Sequence, residues 1–317
     1  MVSNVAIIVL AWNRRDVTLA CLDSLAALDY PANRLQIIGV DNGSTDGTAH
    51  AIREQFPQVT VLENGENLGY AGGNNVGLRY ALAQGADYIC ILNNDVTVAP
   101  DYLTPLLAAF QEHIDAGVVT PLVAEVSEPE RVWALGAAVD WQTGTVRRLH
   151  AGEMAQMLQA SDPFKVDVAS GTAMLAKREI FEPVGLLDEA FYLYFEETDW
   201  CLRVGQAGYR ILAVPSSVVW HKVSATLGQA SPVIDYYMLR NQLRFIARHW
   251  SGTARLRMLG LTVLRNVLTI AAYTVKPHDG QRLPHRNARL LALRDAALGR
   301  WGKMGSDIAA VCNQTNG

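Results

Sequence analysis

The sequence predicts an α/β fold, a mainly parallel sheet covered by helices on both faces and continued by a helical extension. Three observations carry this. Short apolar runs alternate with helix-spaced segments between Val5 and Leu92, polar glycine-bearing segments follow directly after those runs, and the last third of the chain turns basic and amphipathic. Strands that alternate with helices of about ten to fifteen residues imply parallel pairing with both faces covered.

Val5–Ala11 is the first apolar run and ends in "WNRRD". Asp16–Leu28 then sets Leu19, Leu22 and Leu25 to one side at helical spacing. Leu35–Val40 is a second strand ending in "DNGSTDG", where Ser44, Thr45 or Asp46 can cap a helix running through Phe56. Val59–Leu62 is a third strand. "NLGYAGGNN", Asn67–Asn75, precedes a helix over Ala71–Ala83. Such a segment makes a tight turn or lets backbone N–H groups approach a phosphate or sugar. Tyr88–Leu92 is a fourth strand and ends in "NND". Ligands of open α/β sheets bind beyond the carboxyl ends of strands, so these polar clusters should converge at one rim. Further on, Val132–Val139 and Val166–Leu175 read as strands, and Arg178–Val184 and Thr198–Ala207 as helical. The ordered core is expected to reach about Ser231.

Half of the 317 residues are hydrophobic and 18% are charged, ample for a core. Cys21, Cys90, Cys201 and Cys312 lie far apart without a CxxC pair, which fits a reducing cytosol without disulfides or structural zinc. No basic start or cleavage pattern marks a signal peptide. The net charge of −4 divides unevenly: residues 1–239 carry −14 and residues 240–317 carry +10. A basic tail points to an anionic partner, nucleic acid or acidic phospholipid. Within it Asp235–Trp250 and Ala254–Val275 read as helices. Arg255, Thr262, Arg265, Thr269 and Lys276 recur at helical steps, with Leu256, Leu259, Val263, Val267 and Ile270 filling the remainder. The apolar run is read as too short to span a bilayer. Arg282–Arg300 adds further arginines. Such helices can lie on anionic lipid or pack on the rest of the protein or a second subunit, and both readings stand. Nucleic acid is disfavoured, because the acidic body offers no extended basic groove.

GxGxxG and GxxxxGK[ST] are both absent, which argues against hydride transfer and ATP hydrolysis. Asp41, after the second strand, can accept hydrogen bonds from a nucleoside's base or ribose. Asp95, after the fourth, offers oxygens to a divalent cation that would neutralise a diphosphate. "DNGSTDG" and "NND" also read as a plain turn and helix cap and a plain turn. "FEETDW" brings Glu196, Glu197 and Asp199 together at a helix start, where the dipole stabilises anions and mutual repulsion and burial oppose it. Asp199 and Arg203 are spaced for an intrahelical ion pair.

In order, "VLAWNR", "VDNGSTDGT", "ENLGYAGGNNVG", "LNNDV", "ASGTAML", "FEETDWCLR" and "VVWH" resemble the inverting family 2 glycosyltransferases, in particular their rhamnosyltransferase and galactofuranosyltransferase-like branch. The resemblance spans about Val5 to Arg248. It implies a GT-A-type fold with a Rossmann-like sheet, and an enzyme that moves a sugar from a nucleotide diphosphate to an acceptor. On that reading Ala11, Trp12 and Asn13 border the nucleobase, Asp41 binds its imide or the ribose, and Asn67, Gly72, Gly73, Asn74 and Asn94 lie against the nucleotide-sugar. Asn93 and Asp95 occupy the first and last positions of the family's DxD metal motif, with amides where carboxylates are usual, and His221 is a further ligand to Mg²⁺ or Mn²⁺. Glu197 is the base, flanked by Glu196, with Asp199 orienting the acceptor or pairing with Arg203. Trp133, Gly171, Thr172 and Asp188 face the acceptor.

The resemblance further implies a dTDP-L-rhamnose or UDP-sugar donor, a saccharide or glycolipid acceptor and a cytoplasmic enzyme, peripheral on the inner membrane face or joined through its C-terminal helices into a homo-oligomer. The expected organisation is a transferase domain over 1–231, with a nucleotide-binding half at 1–119 and an acceptor half at 120–231, then a basic helical extension at 232–317. The amide-rich "NND" keeps a second reading open, a non-catalytic nucleotide-sugar-binding module or an inactive partner of another transferase.

Overall fold

The computed structural model describes residues 2–222, 231–277 and 282–313. Residues 223–230, just ahead of the expected boundary after Ser231, lie outside the described residues. Two units emerge, one within 1–139, 146–187 and 197–225, the other within 140–145, 188–196 and 226–317.

The first unit is built on strands whose composition leaves little to face water. β1 (Val5–Ala11) is buried along nearly its whole length. Each such aliphatic side chain contributes roughly 1.5–3 kcal/mol by leaving water. Helix α1 (Arg15–Ala26) buries Thr18, Cys21, Leu22 and Leu25. β2 (Leu35–Asp41), α2 (Thr48–Gln55), β3 (Thr60–Glu63), α3 (Gly69–Ala83) and β4 (Tyr88–Asn93) follow the expected alternation. β1 pairs in parallel with both β2 and β4, and β2 with β3. The register sets Ala11 beside Asp41 and Leu10 beside Asn93, so three strand ends meet at one edge.

Beyond β5 (Val96–Val98) and α4 (Leu103–Glu112) the sheet becomes mixed. β6 (Ala116–Glu125), β7 (Glu128–Ala134), β8 (Ala137–Asp140), β9 (Thr145–Arg148), β10 (Phe164–Val166) and β11 (Ala173–Lys177) lead to the short α5 (Phe181–Val184), then α6 (Glu196–Gln206) and β12 (Arg210–His221). The sheet runs β10-β12-β6-β11-β4-β1-β2-β3, with β5 beside β12 and β7 beside β6. β11 is antiparallel to both its neighbours, whereas β12 runs parallel to β6. Both strands expected in this half are interrupted. Val132–Val139 breaks at Gly136, whose φ of 68° ends β7 and lets β8 begin. Val166–Leu175 yields β10 and β11, separated by the polar loop around Ser170 and Gly171.

The second unit is helical: α7 (Pro232–His249), α8 (Gly252–Val275), α9 (Leu283–Ala297) and α10 (Ser306–Asn313). Its core gathers Tyr236, Tyr237, Leu243, Ala288, Ala292 and Ile308. Arg240 is 1% exposed within it. Its guanidinium donates to the Tyr236 hydroxyl at 3.1 Å, and that hydroxyl donates to Asp295 at 2.8 Å. The buried charge is thus hydrogen-bonded and its counter-ion is one side chain away, as burial of an ion requires. α8, with 24 residues and a mean hydropathy of 1.4 over its most apolar 18, is the one helix among the described residues long and apolar enough by length and composition to cross a membrane. Only 17% of that stretch is buried, and Leu256, Leu261, Leu264 and Leu268 are exposed.

Candidate active site

At the first strand end, Trp12 is 40% exposed and Asp41, paired in register with the preceding Ala11, is 4% exposed. Asn13 and Arg14 adopt left-handed φ of 57° and 61°, turning the chain sharply out of β1. This conformation is fixed from the segment after β2: the Asn13 N–H donates to Ser44 Oγ at 2.8 Å, and Asn13 Oδ1 accepts from the Thr45 N–H at 2.9 Å. Asp46, rather than Ser44 or Thr45, serves the start of α2, accepting from the Thr48 N–H at 3.1 Å. An exposed indole and a carboxylate at adjoining strand ends suit a planar, hydrogen-bonding base.

The glycine-rich segment is organised differently from the expectation of an open loop. α3 begins at Gly69, and a Cβ on Gly73 would fall 2.4 Å from Leu10 Cδ1 and 3.1 Å from Asn42 Nδ2. One on Gly72 would fall 2.9 Å from Leu68 Cβ. Gly73 thus lets α3 press onto β1, while Gly72 makes room for Leu68 just ahead of the helix. The asparagines are hydrogen-bonding staples. Asn42 Nδ2 donates to Asn67 Oδ1 and Gly69 O, both at 3.1 Å, while Asn42 Oδ1 accepts from Asn64 Nδ2 at 2.9 Å and the Leu68 N–H at 3.1 Å. Asn74 Nδ2 donates to Tyr70 O at 3.0 Å, leaving its buried Oδ1 without a hydrogen-bond partner. Asn94 likewise turns to α1, donating to Thr18 Oγ1 at 2.8 Å.

The second strand end is set by the turn after β4. The Asn93 N–H donates to Thr172 O at 3.0 Å, and the Lys222 N–H donates to Asp95 O at 2.8 Å. Asp95 is thereby held beside His221, the last residue of β12, with Oδ1 and Nε2 3.2 Å apart. Asp95 Oδ1 and His221 Nδ1 are both buried with no hydrogen-bond partner. Trp133 does not lie open as an acceptor floor: its ring meets His221 edge-on at 5.0 Å, and the Arg148 guanidinium covers it at 4.4 Å. Two ligands at right angles on a small divalent ion, each about 2.1 Å from it, would stand about 3 Å apart. The Asp95–His221 spacing and the orphaned oxygen therefore fit such an ion. No group of three or more His, Cys, Asp or Glu side chains able to hold a metal is found among the described residues.

The third component is the start of α6. Tyr192, Tyr194 and Phe195 take left-handed φ of 66°, 67° and 75° directly before it, a rare concentration for bulky residues. Glu196 is 3% exposed and Glu197 half-buried. Burial pushes the Glu197 carboxyl above the usual carboxylate range and outweighs the hydrogen bonds from its own N–H and that of Thr198. Gly171 lies against it: a Cβ there would stand 3.2 Å from Glu197 Cγ and 3.4 Å from Tyr70 Oη. Tyr70 Oη in turn donates to Gly171 O. Thr172, 5% exposed, lies in the same loop. Asp199 is 0% exposed and takes the structural alternative, accepting from Arg203 Nε at 2.9 Å. Arg203 also donates to Val184 O and, at 2.8 Å, to Leu186 O, so this pair anchors α6. Asp188 belongs to the second unit, where it accepts from Arg244 and Arg248 at 2.8 Å each.

A family model described as Glycosyl transferase family 2 matches residues 6–185, more than half of the chain. The chain belongs to glycosyl transferase family 2. The N-acetylglucosaminyl-diphospho-decaprenol L-rhamnosyltransferase of Mycobacterium tuberculosis is 28% identical over 269 residues, 78% of this chain and 87% of that protein. The dTDP-rhamnosyl transferase RfbF of Shigella flexneri is 22% identical over 313 residues, 95% of this chain and 98% of that protein. Among solved structures, the mannosyltransferase PcManGT from Pyrobaculum calidifontis, in complex with GDP-Man and Mn²⁺, superposes with a TM-score of 0.58 at 19% identity, covering 95% of this chain and 87% of that one. S. aureus TarS 1-349 in complex with UDP-GlcNAc gives 0.57 at 15% identity, covering 97% and 83%. At these identities the structural likeness establishes the fold, a GT-A-like glycosyltransferase sheet with flanking helices.

Tyr70, Asn42 and Arg148 are the residues that reading the sequence passed over. Asn42 sat inside a quoted motif but reads there as a turn residue. Tyr70 and Arg148 carry no local signal, since their partners lie 101 and 15 positions away.

Proposed function

We propose that this glycosyltransferase moves a hexose, L-rhamnose from dTDP-L-rhamnose in the first instance and otherwise a UDP-linked sugar, onto a saccharide carried on a lipid diphosphate, with inversion at the anomeric carbon. The observation that carries the reaction is the placement of Glu197 beside Gly171 and Tyr70 at the rim that also holds Asp95 and His221. The names of the relatives support the donor, the acceptor and a role in cell-surface polysaccharide synthesis.

In this reading Trp12 and Asp41 hold the nucleobase and ribose, with Ala11 and Asn13 shaping their floor. Asp95 and His221, with the amide oxygen of Asn93, hold Mg²⁺ or Mn²⁺, and the solved mannosyltransferase with Mn²⁺ supports that class of ion. Such an ion, when bound, offsets the charge of the departing diphosphate. Glu197 takes the proton of the acceptor hydroxyl as that oxygen forms its bond to the anomeric carbon. The bond to the diphosphate oxygen breaks on the opposite face, and the electron pair leaves with the nucleoside diphosphate. The raised pKa of Glu197 suits a proton acceptor working near neutrality. Glu196 and Thr172 complete its surroundings, and Asp199 acts only by fixing α6. The transferase domain is taken as 1–231 and the remainder as an extension whose basic amphipathic helices rest on the inner face of the cytoplasmic membrane.

The test combines two measurements on the full chain. Melting temperature should rise with dTDP-L-rhamnose plus Mn²⁺ and not with donor plus EDTA. Glu197→Gln should retain that rise and lose sugar transfer to a lipid-diphosphate-linked N-acetylglucosamine. Full transfer by Glu197→Gln would remove Glu197 as base. Donor binding without turnover across a broad acceptor panel would favour the alternative suggested by "NND", a nucleotide-sugar-binding module.

A further inference from the structure

The second unit contains a cavity that the transfer chemistry leaves unused. It is an open groove of about 730 Å³ lined by α7, α8 and α9 together with Trp301. That size lies within the range of about 300–1,000 Å³ typical of small-molecule sites. Most of its wall is apolar, with Leu243 and Ala247 from α7, Leu259 and Val263 from α8, Leu293 from α9, and the Trp301 ring. At one part of the wall the chemistry changes: Asp188, Arg244 and Arg248 form a cluster. Both arginines donate to Asp188 Oδ2 at 2.8 Å. Arg244 Nε is buried and has no hydrogen-bond partner, while its guanidinium stacks over Trp301 at 5.1 Å and Phe191 at 5.4 Å.

A buried guanidinium N–H without an acceptor costs free energy that an anionic oxygen would recover. An apolar groove lined by Leu, Val and Trp needs an apolar body to fill it. One occupant that meets both demands is an amphiphile with a branched hydrocarbon chain and a phosphate at its head. α8 adds an independent reason. Leu259 and Val263 line the cavity, while Leu261, Leu264 and Leu268, on the same helix, are exposed beside Arg257 and Arg265. A helix with an uncovered apolar face and flanking arginines suits the boundary of an anionic bilayer, from which a lipid would enter.

We propose that this cavity seats the lipid end of the acceptor, a polyprenyl phosphate or diphosphate, with its first isoprene units against Leu243, Val263, Leu293 and Trp301 and its phosphate on Arg244. The inference rests on the lipid-linked acceptor of the proposed function and names the part of the chain that reads the lipid.

The probes are geranylgeranyl diphosphate, geranylgeraniol and inorganic pyrophosphate in detergent, measured by calorimetry on the full chain. Geranylgeranyl diphosphate should bind at least tenfold more tightly than either fragment. Ala296→Trp and, independently, Val263→Trp fill the cavity from two helices and should each weaken it at least tenfold. Both should keep the melting-temperature rise with nucleotide-sugar and Mn²⁺, so that loss of lipid binding is separable from failure of the donor site. Undiminished binding in both variants, equal binding of diphosphate and pyrophosphate, or capture by dioleoylphosphatidylglycerol vesicles without preference for the prenyl chain would each overturn the proposal. So would a concentration-dependent dimer that Val263→Trp dissolves while geranylgeranyl diphosphate fails to bind.

Discussion

Asn42 and Asp95 follow the ends of β2 and β4, the two strands that flank β1, and are opposite in how their polar atoms are served. Asn42 makes four hydrogen bonds and is 2% exposed. Asp95 keeps a buried oxygen with no hydrogen-bond partner, 3.2 Å from a histidine whose other nitrogen is equally unserved. A fold leaves buried polar atoms unpaired rarely, because each costs about 1–3 kcal/mol. Where it does so at a strand end that faces a ligand, the missing partner belongs to the ligand. The satisfied cluster is scaffold and the unsatisfied one is function, although both look like asparagine- and aspartate-bearing turns in the sequence.

The comparison breaks most readily at the base. Glu197→Gln keeps the side-chain volume and should lower the transfer rate by roughly 10²–10⁴-fold, with donor binding intact in the melting assay. Asp95→Ala comes next. It should weaken Mn²⁺-dependent donor binding by more than about tenfold and abolish the effect of EDTA, yet cost the free protein less stability than loss of the Asn42 amide, because its carboxylate gives up the 3.2 Å contact with His221 rather than a set of hydrogen bonds. Asn42→Ala should behave in the opposite sense. Removing one buried amide strands the Leu68 N–H and Gly69 O, so denaturant unfolding should report a loss of about 2–4 kcal/mol. Equal stability of Asp95→Ala and Asn42→Ala would erase the distinction drawn between the two sites. Gly171→Ala is gentler. Its Cβ must move Glu197 by a few tenths of an ångström, which should cost about three- to tenfold in kcat with KM for the donor little changed.

The sequence made the sheet legible because period and punctuation agree there. β1 runs over the Val5–Ala11 expected, and α3 and β4 differ from expectation by two residues or fewer. It was less informative where a side chain's partner lies far along the chain. "NLGYAGGNN" read as an open loop because glycine signals permissive backbone. The packing that demands glycine at Gly73 comes from Leu10, 63 residues earlier. Trp133 read as an acceptor floor, whereas Arg148 covers its ring face and His221 meets the ring edge-on. The i,i+4 spacing of Asp199 and Arg203 did announce their ion pair, since that interaction is local. The cavity of the second unit had no sequence signal, because its wall is assembled from three helices whose apolar residues, taken singly, read as ordinary amphipathic faces.

The smallest expected effect concerns the same glutamate as the largest. Burial raises the Glu197 pKa in the folded chain above its unfolded value of about 4.3. A carboxyl shifted upward favours the fold while it is protonated. That contribution is complete below the unfolded pKa and is lost as pH rises through the folded one. At neutral pH the native chain therefore carries an ionised group that its surroundings disfavour, and Gln at this position carries none. Wild-type and Glu197→Gln proteins should unfold at similar denaturant concentrations near pH 4, with the variant gaining a modest advantage as pH rises toward 7. In the wild type the acid limb of kcat/KM should fall above the ordinary carboxylate range, in the same window. If the variant were instead the less stable at pH 7, the hydrogen bonds to the Glu197 carboxylate would outweigh its burial. The residue would then join Asn42 among the satisfied groups and lose its claim to a proton-accepting role.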